Sequence, residues 1–163
     1  MWCLLVAVLA LLQTIPAEEC IEYEDHEAEI HKCCSYVPPF PRDTFRECQN
    51  QAEEKADGDK HDFMACLFQC YFNTLEIVSG DEDTLNQDKI AEYLHQMSEN
   101  ARNILLAAYK ECAAKTTGIV DVCNSYAMDI EMCAIQLFER QCPDEMFNPS
   151  EICDKVRAGV EFC

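Results

Sequence analysis

The sequence predicts an all-α fold, a disulfide-stapled bundle of helices. Three observations carry this expectation. Apolar residues recur with helical spacing in several separate segments of the 163-residue chain. No segment alternates apolar and polar side chains as a half-buried strand would, and no internal repeat or low-complexity tract interrupts the pattern. Thirteen cysteines are distributed along almost the whole length, which in an oxidising compartment reads as a disulfide framework.

Taken in order, residues 1–17 carry no charged side chain, and their apolar run from Trp2 to Leu12 is too short to span a bilayer. They are expected to be a secretory signal peptide cleaved after Ala17, which removes Cys3. Twelve cysteines remain in residues 18–163: Cys20, Cys33, Cys34, Cys48, Cys66, Cys70, Cys112, Cys123, Cys133, Cys142, Cys153 and Cys163. An even number implies six bridges in a secreted, extracellular protein. A chain of this size buries enough surface to fold as one domain without them. Six bridges at about 2–4 kcal/mol each exceed that need, so they are expected either to hold walls apart around a space or to resist proteases.

Residues 18–30 are acidic with few apolar side chains and are expected to form an arm tethered by Cys20. Pro38, Pro39 and Pro41 then force an extended path. A short helix is predicted from Thr44 to about Lys55, carrying Cys48, followed by the charged loop DGDKHD. In FMACLFQCYF, Phe63, Cys66, Leu67 and Cys70 fall at i, i+3, i+4 and i+7, one buried stripe of a helix that should end near Gly80. Cβ atoms at i and i+4 lie about 5–6 Å apart, too far for a disulfide, so Cys66 and Cys70 must each reach a different element.

The polar stretch SGDEDTLNQDK supplies capping residues for the next helix. From Ile90 to Cys112 the apolar residues keep helical spacing, predicting either one long helix or two broken near Ser98 to Asn100. Gly118 marks a stop, a further helix covers about Asn124 to Arg140, and Pro143 after Cys142 ends it. A last short helix is pinned by Cys153 and Cys163. Nine positions at 100° each put Cys133 and Cys142 on opposite sides of their helix, so these two also need separate partners.

With 31 acidic against 12 basic residues the net charge is -19. That argues against nucleic acid and anionic lipid surfaces as partners, and no later segment is long and apolar enough for stable membrane insertion.

Three residues separate Cys66 from Cys70, eight separate Cys133 from Cys142, and 41 lie between Cys70 and Cys112. On these intervals the chain resembles the insect odorant-binding proteins, and Cys142-Pro143 with the extra Cys153 resembles their Plus-C branch; the resemblance implies about six to eight helices around an apolar cavity. The resemblance implies bridges joining first with third, second with fifth and fourth with sixth cysteine. It would therefore join Cys66 with Cys133, Cys112 with Cys142, and Cys34 or a neighbour with Cys70, the label of first cysteine lying among Cys33, Cys34 and Cys48. The fourth cysteine is Cys112 or Cys123. A bridge from Cys123 to Cys153 is the expectation for the remainder.

The function implied by this resemblance is extracellular transport: a carrier of small hydrophobic ligands, odorant or pheromone-like, through aqueous lymph, with an olfactory receptor or a second copy of the chain as further partner. Burying a ligand's hydrocarbon gains about 0.8 kcal/mol per CH₂. Met97, Leu105, Tyr109 and Phe138 are the candidate ligand-binding residues, since Met adapts to varied shapes and Tyr offers a hydroxyl; the same apolar stripes equally describe solid core. No catalytic residue, cofactor or metal is expected. His61-Asp62 before a cysteine-bearing helix prompts a phospholipase A2-like alternative, but the chain has only four glycines and no glycine-rich calcium loop, and DGDKHD departs from the EF-hand pattern at His61 and Asp62. The other alternative is a secreted interaction or inhibitor protein working through its proline-containing loops. His26, His31, His61 and His95 raise the expectation of pH-dependent release, set against simple surface exposure.

Overall fold

A computed structural model describes residues 20–79 and 83–163; the expected signal peptide lies outside them. Within these residues the chain forms seven α-helices: α1 (Tyr23–Ile30), α2 (Arg42–Lys55), α3 (Lys60–Thr74), α4 (Gln87–Tyr93), α5 (Glu99–Lys115), α6 (Tyr126–Arg140) and α7 (Glu151–Arg157). Two single 3₁₀ turns, Leu94–Gln96 and Asp144–Met146, complete the order. Extended backbone pairs only at isolated bridges among the described residues, so the molecule is an all-α, disulfide-stapled bundle.

The central layer is α3, α5 and α6. Helix α3 starts where the Asp59 side chain accepts the Asp62 amide at 2.9 Å, satisfying one orphan donor of the first turn. It buries Ala65, Cys66, Leu67, Tyr71 and Phe72. It ends at Thr74, short of the predicted Gly80, because Glu76 adopts φ +57° and the amides of Ile77 and Val78 both return to the Phe72 carbonyl at 2.8 and 3.3 Å. That closure satisfies the carbonyl of the last full turn and turns the chain away.

The apolar periodicity from Ile90 to Cys112 belongs to two helices. The break falls at Met97 and Ser98, and the Ser98 hydroxyl accepts the Ala101 amide at 3.3 Å to begin α5. Helix α4 is capped likewise by Asn86 on Lys89. Helices α5 and α6 form an antiparallel hairpin, and Leu105, Tyr109, Ile130 and Phe138 meet in the main core with Phe72 and Leu94.

The acidic stretch expected to be an arm is largely helix α1. Glu24 and Asp25 sit in its first turn, where the helix dipole favours them. Ile21 and Ile30 are buried against Val156 of α7, with Tyr23, Ile152, Val160 and Phe162 around them. The sequence hid this because two isoleucines so far apart make a weak stripe; they are covered only once α7 arrives. Backbone hydrogen bonds between Ile21 and residues 161 and 163 close the unit. Arg157 of α7 donates to the Cys142 carbonyl at 2.8 Å and to Asp144 at 3.1 Å, which ties α7 to the end of α6.

All twelve cysteines from Cys20 onward are paired: Cys20 with Cys163, Cys33 with Cys153, Cys34 with Cys142, Cys48 with Cys70, Cys66 with Cys123, and Cys112 with Cys133. Cys66 and Cys70 do reach different elements, the loop before α6 and α2 respectively. Cys133 and Cys142 also have separate partners. Several individual pairings differ from those the resemblance implied. Cys66 bonds Cys123 and not Cys133, because the loop leaving α5 folds back over α3 before α6 begins. Cys112 bonds Cys133 and not Cys142: in the α5/α6 hairpin the end of α5 lies beside the first half of α6, and Cys142 is nine residues, roughly 13 Å, further along. Cys153 takes Cys33 in place of Cys123, since α7 packs on the N-terminal unit. Cys70 bonds Cys48 of α2 and not Cys34, which takes Cys142, so Cys48 is the one of the three candidate first cysteines that pairs with it.

Counted over Cys48, Cys66, Cys70, Cys112, Cys123 and Cys133 alone, the order is first with third, second with fifth and fourth with sixth. The interval between the last two in this register is nine residues, against the eight that had pointed to Cys133 and Cys142. The other three bridges fasten the two terminal segments to each other and to α6.

Candidate ligand pocket

Helices α2, α3 and α6 do not close completely on one another. Between them, under the extended segment of residues 36–41, lies a pocket of about 470 Å³, open on one side and bounded by Pro38, Phe40, Phe45, Phe68, Tyr71 and Ile135, with Arg42, Arg46, Gln49 and Glu131 as its polar groups. Prolines 38, 39 and 41 hold the covering segment extended, so it spans the gap as a strap where a helix would fill it. The wall is aromatic because Phe45 and Tyr71 pack edge to face at 5.2 Å between centroids, and Phe40 packs on Tyr71 at 6.2 Å. The Tyr71 hydroxyl donates to the Pro41 carbonyl at 3.2 Å and fixes strap to wall. The Cys48 to Cys70 bridge clamps α2 to α3, two of the helices that carry the pocket wall, and so limits how far they can slide together to fill the space.

Glu131 is the unusual group. Ala127, Glu131, Ala134 and Phe138 follow one another at steps of four, three and four along the buried stripe of α6, and an acid there is 4% exposed. Oε2 accepts a hydrogen bond from the hydroxyl of Tyr109, itself buried on α5. Burial pushes the Glu131 carboxyl up to about 7, with the Tyr109 bond pulling the other way. Burial first, then the Glu131 charge, raises the Tyr109 and Tyr36 hydroxyls, and the same two causes raise Tyr71. Tyr36 is close enough to Tyr109 to couple with it, yet its buried hydroxyl meets no partner at hydrogen-bonding geometry.

The residues proposed from sequence lie elsewhere. Leu105 and Phe138 are fully enclosed in the core, and Met97 is half-buried against it at the break before α5. Tyr109 borders a shallower cleft of about 290 Å³ between α4 and α5 with Ile90 and Leu106, and touches the larger pocket only through Glu131. The pocket-lining Phe45, Phe68 and Ile135 escaped attention because they flank the buried stripes without lying on them. Glu131 had a legible signal, a carboxylate at a stripe position.

The histidines stand apart from this pocket. Nδ1 of His31 lies 3.2 Å from Oε1 of Glu139, the second buried acid of α6, whose carboxyl is raised by burial and lowered in part by His31. His26 lies 3.9 Å from Glu29, His95 folds onto the carbonyl of Glu92, and His61 is exposed in the first turn of α3. Among the described residues no helix is long and apolar enough to cross a membrane. No protein-family model matches the chain, and no curated protein matches it closely enough to be counted a relative.

Proposed function

We propose that the protein is an extracellular carrier of small hydrophobic molecules, odorant or pheromone-like in class, held in the pocket between α2, α3 and α6. The observation that carries this reading is an apolar, aromatic-walled space of about 470 Å³ between helices of which two, α2 and α3, are joined by a disulfide. Sites for small ligands occupy roughly 300–1,000 Å³, are mostly apolar and carry a few placed polar groups. Preserving such a space in a domain this small works against packing, which otherwise favours closure. The order of the three central bridges supports kinship with the odorant-binding proteins, and the three bridges at the termini fit a branch with additional cysteines. Twelve paired cysteines support an oxidising, extracellular setting.

The test is displacement of a fluorescent apolar probe by long-chain alcohols, aldehydes or phenols. Displacement is expected, and substituting Ile135→Trp, which fills the pocket, should abolish it without loss of fold. Absence of displacement at micromolar protein would overturn the carrier reading. It would favour the second reading, a secreted interaction protein, for which the exposed Ile119 and Val120 of the loop between α5 and α6, 71% and 76% accessible, are the supporting observation.

A further inference from the structure

The carrier reading, on which this inference rests, leaves the ligand's head group unspecified. Four polar side chains border the pocket, and only Glu131 is buried; Arg42 and Arg46 are exposed on the rim and Gln49 is half-buried. A carboxylate has about four lone-pair positions. Tyr109 occupies one, on Oε2, and among the described residues no hydrogen bond reaches Oε1. The other titratable groups packed toward Glu131 are Tyr109 from α5, Tyr36 from the strap and Tyr71 from α3, all of which stay neutral. Among the described residues, the cations that line the pocket with it are the two rim arginines from α2. The remaining wall is four aromatic rings, Phe40, Phe45, Phe68 and Tyr71, with Pro38 and Ile135.

We propose that the ligand is an apolar primary amine, its ammonium donating to Oε1 of Glu131 and its hydrocarbon lying against Phe45, Phe68 and Ile135. A buried carboxyl with one oxygen unused is satisfied best by a donor that also carries the opposite charge. The faces of aromatic rings attract the same cation. A ligand carboxylate would place a second acid beside Glu131, and an alcohol could supply only a neutral hydrogen bond. The rim arginines do not reverse this preference. They are exposed, so their field is screened by water and salt, and Arg46 already lies 3.7 Å from Asp43. The net charge of -19 adds a long-range attraction for cations.

The sign of the pH dependence is set by ionisation. The ammonium pairs with the charged form of Glu131, so amine affinity rises as pH passes upward through about 7. Affinity for an uncharged ligand of equal length does not rise.

Isothermal titration calorimetry of the oxidised protein with octylamine, octanol and octanoate, at about pH 5.5 and about pH 8, tests the assignment on both sides of that titration. Octylamine is expected to bind about tenfold more tightly than octanol at the higher pH, with a smaller advantage at the lower. Glu131→Gln, which keeps the shape, should erase the advantage of octylamine over octanol. Octanoate binding most tightly, or octylamine binding no better than octanol, overturns the inference while leaving the carrier reading intact. Failure of all three to bind overturns both. The pH comparison on the unaltered chain decides the matter even if the variant does not fold.

Discussion

The Tyr109 hydroxyl on α5 donates to Oε2 of Glu131 on α6 across the middle of the bundle, and both side chains are almost fully enclosed. One bond thus joins the two helices of the central hairpin and sets the environment of the single acid that borders the pocket. Tyr109→Phe should cost about 1–3 kcal/mol, the usual penalty for stranding a buried polar partner. Because the Tyr109 bond is what holds the Glu131 carboxyl down against burial, its removal should raise that group further. Urea denaturation of both proteins should show a larger loss at about pH 8 than at about pH 5. Equal losses at both would refute the coupling.

Glu131 also predicts how stability varies with pH. Its folded pKa of about 7 lies above the ordinary 4.5, so between these values the native state holds a proton that the unfolded chain has released. Stability from this group is therefore present below pH 4.5 and lost as pH rises toward 7. The loss amounts to as much as about 3 kcal/mol. Glu131→Gln should lack this component, so the difference between the two proteins should favour the variant increasingly over that interval and then level off. A difference independent of pH would show that Glu131 titrates normally.

Pocket and core can be separated by substitution. Phe138→Ala and Leu105→Ala empty fully enclosed positions and should cost about 2–5 kcal/mol. Phe68→Ala, at a half-buried pocket wall, should cost less stability and reduce probe affinity instead. Thermal melts paired with probe titration distinguish the two classes, and a Leu105 variant with normal stability and weakened binding would relocate the site.

The bridges differ in what they protect. Cys66 and Cys123 are buried in the core, whereas Cys20 and Cys163 are exposed. Replacing Cys66 and Cys123 by alanine should cost about 2–5 kcal/mol for the constraint with a further cavity term. Serine at Cys20 and Cys163 should loosen the unit of α1 and α7 and leave the central helices folded. Amide hydrogen exchange can localise the loss. Peptide mapping under non-reducing conditions should recover the six pairs, and a Cys66 to Cys133 peptide would contradict them.

Gly118 is a position where any side chain fails. A Cβ there would sit 2.0 Å from Oδ1 of Asn124 and 2.8 Å from Cβ of Tyr126. That Asn124 oxygen accepts the Tyr126 amide, while Asp83 takes both the Gly118 amide and the Asn124 side chain. Gly118→Ala should thus displace the network that starts α6, at about 1–3 kcal/mol, measurable as a lowered melting temperature. An unchanged melt would mean the loop has room to move.

By itself the sequence determined the helical class, the approximate positions of α2, α3, α5, α6 and α7, and the fact that neighbouring cysteines need different partners. These come from local rules: 3.6-residue periodicity, prolines that stop helices and the reach of a disulfide. It also offered the break at Ser98 as one of two possibilities, and a hydroxyl able to cap an amide decided between them. Tertiary structure alone decided that Cys66 meets Cys123, that the acidic segment around Ile30 is a helix against α7, and that the pocket is walled by Phe45, Phe68 and Ile135 while Leu105 and Phe138 fill the core. Each of these depends on how far one helix is shifted and rotated against another. An apolar stripe states that a face will be covered, but the covering surface is supplied by residues distant in the chain, so its shape and its gaps exist only after packing.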